Sequence, residues 1–379
     1  MEELPTVRKV VEAAVAAGRI PGAVVLVRRD GEVVHRGACG VLDPETAFPL
    51  REDTVLWLAS LSKVVGAVAL LMLAEEGRLD LADAVSAYIP EFAAPGRVLA
   101  LRPGSPSPLA MPFGPPPDPL PDFDVVPANR ELTLLDLLTH TGGLQSLMRW
   151  NPEFVPPAPG QALADYVPGL GGLARDFQAG EGWAYSNEAS FDVISRVIEI
   201  VSGHDLDTFL RTRIVEPLGL SSMGFGRGGQ PGAMPVPPPF LENPVIAGTT
   251  FRSTCAGLWS SGADYLVFAE MLRNGGVHGR TRLLSEKSVE LMTTNQVGRL
   301  CPGLNGREPA PGIGFGLSVA LIEDGTAAGE ALPDGTFGWD GVATRRFWVC
   351  PSGGWSAFFY APDVGVQREI EAAVTAALS

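Results

Sequence analysis

The stretch Trp57-Leu58-Ala59-Ser60-Leu61-Ser62-Lys63, continuing through Val64 to Ala74, decides how this chain is read. Ser60 and Lys63 stand three residues apart at the start of an apolar run. On a helix, positions i and i+3 share a face, so the spacing makes the hydroxyl and the amine neighbours. It also puts Ser60 in the first turn, where free backbone N–H groups and the positive end of the helix dipole favour developing negative charge. Val64, Val65, Ala67, Val68, Leu70, Leu71 and Leu73 are apolar nearly all round the helix, which predicts a core element. Burial disfavours the charged form of an amine, so a neutral Lys63 could take the proton of Ser60 and make it a nucleophile. A Ser-x-x-Lys string arises by chance in most chains of this length. What singles this one out is a lysine opening an otherwise charge-free helix, where a charge is expensive.

Composition sets the frame. With 379 residues the chain can bury a large core and could form two or three domains. Hydrophobic residues make up 46% and charged residues 19%, the balance of a globular protein. A net charge of -15 argues against binding nucleic-acid backbones or anionic membrane surfaces. Cys39, Cys255, Cys301 and Cys350 are scattered with no Cys-x-x-Cys, so neither a zinc site nor a disulfide framework is expected. The acidic start Met1-Glu2-Glu3-Leu4-Pro5 lacks the apolar core of a signal peptide, and the run from Val64 to Ala74 is too short to span a bilayer. A cytoplasmic protein is the expectation.

Outward from Ser60, the N-terminal side reads as a helix over 7–17, then two strands, Ala23 to Val27 and Val33 to His35, joined by an Asp30-Gly31 hairpin turn. On the C-terminal side, the proline-dense 95–127 reads as a long loop without regular structure, and 226–244 as a second Pro/Gly-rich loop. Thr133 is a candidate cap for a short helix that runs into Thr139-His140-Thr141-Gly142-Gly143. The small and β-branched neighbours of His140 point to a tight turn, which favours a structural histidine over a catalytic one. Tyr185 and Asn187 stand at the entrance to a helix over 188–201, in a loop held by a rigid element, where functional groups often sit; locally, a half-buried aromatic and a helix cap explain them as well. Helices follow at 264–273 and 286–292. Strands are expected at 312–322, 335–342, 346–349 and 358–360, and a last helix at 367–378. The string Gly224-Phe225-Gly226-Arg227-Gly228-Gly229 matches a dinucleotide fingerprint by letter, but no helix follows it, and it is discarded. This order predicts an α/β protein of the α+β sandwich type. Both chain ends, 1–58 and 305–379, would share one sheet, around a mostly helical subdomain over 59–304.

No Gly-x-Ser-x-Gly elbow is present, which argues against an α/β-hydrolase; nor is there a His-Glu-x-x-His, a P-loop or an acidic metal cluster. Ser60-Leu61-Ser62-Lys63, Tyr185-Ser186-Asn187 and a late glycine-containing strand, in that order, resemble the serine β-lactamase and penicillin-binding-protein superfamily, in its class C branch and most of all the family VIII carboxylesterases. The turn Leu137-Leu138-Thr139-His140-Thr141-Gly142-Gly143-Leu144 is similar to a marker of the same group. The resemblance covers nearly the whole chain. It implies a β-lactamase-like antiparallel sheet flanked by helices. Ser60 would be acylated, Lys63 would help deprotonate it, and Tyr185 would shuttle the proton to the leaving group and later activate water. Asn187 would bond Lys63 or a substrate carbonyl. Gly341 and Trp339 would line the site, and the oxyanion hole would be the N–H of Ser60 and that of Val342. The implied substrate is a small-molecule ester, with no metal or organic cofactor. The late strand departs from the β-lactamase pattern: Trp339-Asp340-Gly341 stands where those enzymes carry Lys-Thr-Gly. The missing cation removes a reason to bind β-lactams or free carboxylates, and Trp339 offers apolar area to acyl or alcohol groups. Strand alternation turns Asp340 away from the face of Trp339, toward Arg345 or Arg346.

Overall fold

Asp30 and Gly31 make the tight turn that their sequence calls for. Both have positive φ, 49° and 86°, and the flanking segments Gly22–Arg29 and Glu32–Gly40 pair antiparallel. In the computed structural model, which describes all residues except 1–3, 46, 94–95, 103–121, 145–154, 237–242, 249, 301–310 and 343, this hairpin forms one edge of a seven-stranded sheet. The spatial order is Ile313–Phe315, Ala320–Ile322, Phe337–Gly341, Arg345–Cys350, Trp355–Tyr360, Gly22–Arg29, Glu32–Gly40, and each neighbouring pair is antiparallel. Both ends of the chain therefore build one sheet.

The alternation of side chains along Arg345–Cys350 shows how the sheet is covered. Arg346 and Trp348 point to one face and donate to Glu371 of the terminal helix Val364–Leu378, at 2.8 and 2.7 Å. Phe347 points to the other and, with its register partner Phe358, meets Tyr265 of the helix Gly262–Arg273 at ring distances of 5.1 and 5.7 Å. The first helix, Pro5–Ala16, packs beside the terminal one. The chain between 59 and 304 thus supplies one of the sheet's own covering helices.

The helix Leu61–Glu75 is buried at every residue from Leu61 to Leu73 and packs on Ala189–Ser202. Its entry is held by a small sheet of Val55–Trp57, Leu258–Ser261 and Gly224–Phe225. Several expectations need correction. Ser60 stands one residue before this helix, which begins at Leu61. The segment 95–127 contains an antiparallel pair, Arg97–Leu101 with Phe123–Pro127, where a loop was expected. The prolines cluster between those strands, in 103–121, outside the described residues; the flanks carry β-forming Val98, Phe123, Val125 and Val126, and Pro127 sits at a strand end, where a missing N–H matters least. The main chain of Arg175 anchors the pair through hydrogen bonds with Arg97 and Leu99. The expected strand at 312–322 is two strands, because Ser318 at φ 67° turns the chain between them. Within 226–244, Pro244 opens a short helix, Pro244–Ala247, and 237–242 lies outside the described residues.

Gly262 is where the covering helix comes closest to the sheet. A Cβ there would stand 2.6 Å from the Phe358 ring and 2.7 Å from Leu26. Gly262→Ala is expected to destabilise the protein by about 1–3 kcal/mol through overpacking, against the usual helix preference for alanine. A urea midpoint equal to that of the wild type would show that the ring yields without strain.

Candidate active site

The turn into the helix Leu61–Glu75 is tightly specified. Leu58 donates its N–H to the Leu258 carbonyl, Ser62 Oγ accepts from the Leu258 N–H at 3.1 Å, and the Tyr265 hydroxyl donates to the Leu61 carbonyl at 3.1 Å. Ala59, just before Ser60, has φ 49°, a left-handed conformation that costs a residue with a Cβ about 1–2 kcal/mol. Ser60 itself has ordinary helical angles, and its side chain makes no capping bond, which leaves the hydroxyl for other work.

Lys63 is 1% exposed. Its Nζ donates to two carbonyls, Asn187 O at 2.7 Å and Cys255 O at 2.5 Å, and lies 3.3 Å from Ser60 Oγ. The two carbonyls can only accept, so they take two N–H groups of the amine. The remaining direction faces Ser60: it holds a third N–H in the ammonium and a lone pair in the free amine. That geometry suits proton transfer from the hydroxyl.

Tyr185 is buried beside the amine, its ring centroid 5.2 Å from Lys63 Nζ. Its hydroxyl accepts from Trp339 Nε1 at 3.1 Å, and the two rings are 5.1 Å apart. The residue is held from behind by His140, whose ring lies 4.4 Å from that of Tyr185. His140 Nδ1 accepts from the Ser186 N–H at 3.2 Å, and the His140 carbonyl accepts from the Ala184 N–H. His140 ends the helix Leu134–Thr139 in a left-handed conformation, φ 58°, and Thr133 caps the other end in a capping box with Asp136. His140 therefore braces the loop that carries Tyr185. Burial and then the nearby Lys63 charge push its imidazole well below the usual histidine range.

The strand Phe337–Gly341 ends against the Ser60 turn. A Cβ on Gly341 would stand 2.7 Å from the Leu58 carbonyl and 3.2 Å from Ala59 Cβ, so only glycine allows this approach. Val342 follows, 60% exposed. Asp340 turns to the opposite face and pairs with Arg346 at 3.2 Å, within the group that includes Glu371.

Ser60, Lys63, Tyr185 and Trp339 are thus joined by direct contacts, and Gly341 abuts the turn that carries Ser60. Asn187 meets Lys63 through its main-chain carbonyl. Three residues beside Lys63 escaped the sequence reading. Cys255 acts through a carbonyl, which no side-chain pattern announces. Asp192, on the helix Ala189–Ser202, and Glu188, just before it, both feel the Lys63 charge, and burial pushes both carboxyls up, Asp192 to about 7 with Glu188 adding to the effect; their four-residue spacing across the start of that helix was the available signal.

A family model described as Beta-lactamase matches residues 7–378. Esterase EstB of Burkholderia gladioli is 29% identical over 375 residues, covering 90% of this chain and 85% of its own length. A lovastatin esterase of Penicillium rubens is 30% identical over 353 residues, covering 83% of this chain and 82% of its own. Among solved structures, EstCE1, described as a hydrolase with promiscuous acyltransferase activity, matches with a TM-score of 0.78 over 98% of both chains at 24% identity, a likeness of fold.

The neutral state of His140 has a measurable consequence. In the unfolded chain its imidazole takes a proton near pH 6.5, whereas in the folded protein it does so only at much lower pH. Below about pH 6.5 the unfolded state binds more protons, so stability falls with falling pH, by up to about 1.4 kcal/mol per pH unit. His140→Asn, which tolerates the left-handed backbone, is expected to remove this contribution. Urea unfolding of both proteins at pH 5, 6 and 7 reads the difference, and parallel pH dependences would exclude a buried neutral imidazole.

Proposed function

Because the chain belongs to the β-lactamase family, we propose that it is a serine carboxylesterase, cleaving short- to medium-chain carboxylic esters through an acyl-Ser60 intermediate. The observation that carries the reading is the Lys63 amine, held by two carbonyls with its third direction toward Ser60 Oγ. Ser60 Oγ attacks the ester carbonyl while its proton passes to Lys63 Nζ. The tetrahedral oxyanion is received by the N–H groups of Ser60 and Val342, the latter carried beside the nucleophile by the close approach of Gly341. Collapse breaks the bond to the alcohol oxygen, which takes a proton delivered through Tyr185. Water then gives a proton to the Tyr185 oxygen as Tyr185 passes its own to the Lys63 amine, and the water oxygen attacks the acyl carbon. Collapse breaks the bond to Ser60 Oγ, which takes back the proton held by Lys63 as the acid leaves.

Ester rather than β-lactam specificity is supported by Trp339. By the resemblance it stands where β-lactamases carry a lysine, and its indole donates to Tyr185 and gives the site an apolar wall. The esterase relatives point the same way. Asp340, whose charge would oppose an oxyanion, is paired with Arg346 on the other face of the strand, so it gives no ground for a chemically silent protein.

Ser60→Ala is expected to abolish turnover of a short p-nitrophenyl ester and leave thermal unfolding unchanged. Mass spectrometry after fluorophosphonate treatment should place the adduct on Ser60; an adduct elsewhere would refute the assignment. Faster turnover of a chromogenic cephalosporin than of the ester would reverse the substrate reading. Tyr185→Phe should lower kcat by about 10²–10⁴-fold with little change in KM, as removal of a general acid–base does. Near-normal kcat would require another proton route.

A further inference from the structure

The carbonyl of Cys255 takes a Lys63 N–H at 2.5 Å, so whatever places residues 253–255 also places the amine. Those residues are fully buried between two helices. From the helix Ala189–Ser202, Asp192 Oδ1 accepts the Ser253 hydroxyl at 2.5 Å, and Ser253 Oγ in turn accepts the Cys255 N–H at 3.0 Å. One turn on, Ser195 Oγ accepts the Thr254 N–H at 2.9 Å. From the helix Leu61–Glu75, Gly66 leaves the space that Thr254 fills; a Cβ on Gly66 would stand 2.3 Å from Thr254 Oγ1. The same helix Ala189–Ser202 is preceded by Asn187, whose carbonyl is the lysine's other acceptor. One helix thus governs both anchors of the amine, one directly and one through Asp192.

A carboxyl 1% exposed is costly to bury, and an apolar residue would fill its place more cheaply if packing were its only task. The titratable groups around it are Glu188 just before its own helix, Cys255 and Lys63 on the two segments it faces, and Tyr166 of the helix Leu163–Leu170.

We propose that Asp192 is a positioning residue for Lys63: through the Ser253 hydroxyl it holds the Cys255 peptide, whose carbonyl keeps the amine aimed at Ser60. The proposal rests on the Ser60–Lys63 reading above. It requires an acceptor oxygen at position 192 rather than a charge. Ser253→Ala removes the link with the loss of one atom, and Asp192→Asn keeps an oxygen that can accept from Ser253.

The test measures the rate of fluorophosphonate labelling of Ser60, together with kcat and KM on a p-nitrophenyl ester, after urea unfolding has established that each variant is folded. Ser253→Ala is expected to slow labelling and lower kcat by about 10- to 100-fold, the scale of a small misplacement of reacting groups, with KM unchanged. Asp192→Asn should retain most of the rate. A folded Ser253→Ala labelled as fast as the wild type overturns the proposal, as does an Asp192→Asn variant as slow as Ser253→Ala. Asp192→Ala, which removes the acceptor instead of the donor, carries the same reading if Ser253→Ala does not fold. A wild type that forms no adduct overturns the Ser60 reading and this one with it; a labelled wild type with an equally fast Ser253→Ala overturns this one alone.

Discussion

A lysine amine with no access to water must find its hydrogen-bond partners inside the protein, and the arrangement of the candidate site follows from how Lys63 finds them. Its acceptors come from separate parts of the chain: the Asn187 carbonyl just before one helix and the Cys255 carbonyl in a buried loop. Each fixes one N–H, and together they leave the remaining direction toward Ser60 Oγ. An unsatisfied amine in this setting would be expensive, so the segments that carry these carbonyls are tied to the amine and to each other. The buried residues Asp192, Ser195 and Ser253 do that tying.

The late strand of the sheet divides its labour by alternation. Trp339 faces the site and donates to Tyr185, and Gly341 lets the strand end touch the Ser60 turn. Between them, Asp340 faces the terminal helix and joins Arg346 and Glu371. Two residues apart means the same face and one residue apart the opposite face, so the strand holds the sheet to its covering helix and the wall of the candidate site to the Ser60 turn at once. The aromatic cluster of His140, Trp183, Tyr185, Phe315 and Trp339 links this strand to the loop before Ala189–Ser202. Its members come from four stretches of sequence, and His140 adds the hydrogen bond that orients the loop.

Legibility followed the range of the forces involved. Elements set by local periodicity were read closely: the Asp30-Gly31 hairpin, the buried helix after Ser60, and the helix Glu286–Met292, whose bounds match those expected. The pair Arg97–Leu101 with Phe123–Pro127 was missed because each strand is short and the residues between them are dominated by proline, which reads as loop; their pairing is a long-range contact, anchored by Arg175. Ser60, Lys63 and Tyr185, which the structure brings together, could be singled out because they carry side-chain groups at recognisable spacings. Cys255 could not, because its contribution is a peptide carbonyl, which every residue carries.

By itself, then, the amino-acid sequence determined which side chains could do chemistry and which segments would be buried, since hydroxyl, amine and phenol are properties of residue type and periodicity follows from backbone geometry. Only the tertiary structure decided which way the Lys63 amine points, which peptide groups satisfy it and which face Asp340 takes. Those outcomes depend on contacts between residues 63, 187, 192, 253 and 255, brought together by the packing of two helices around one loop. No local pattern encodes such a contact, because its energy exists only once distant segments exclude water together.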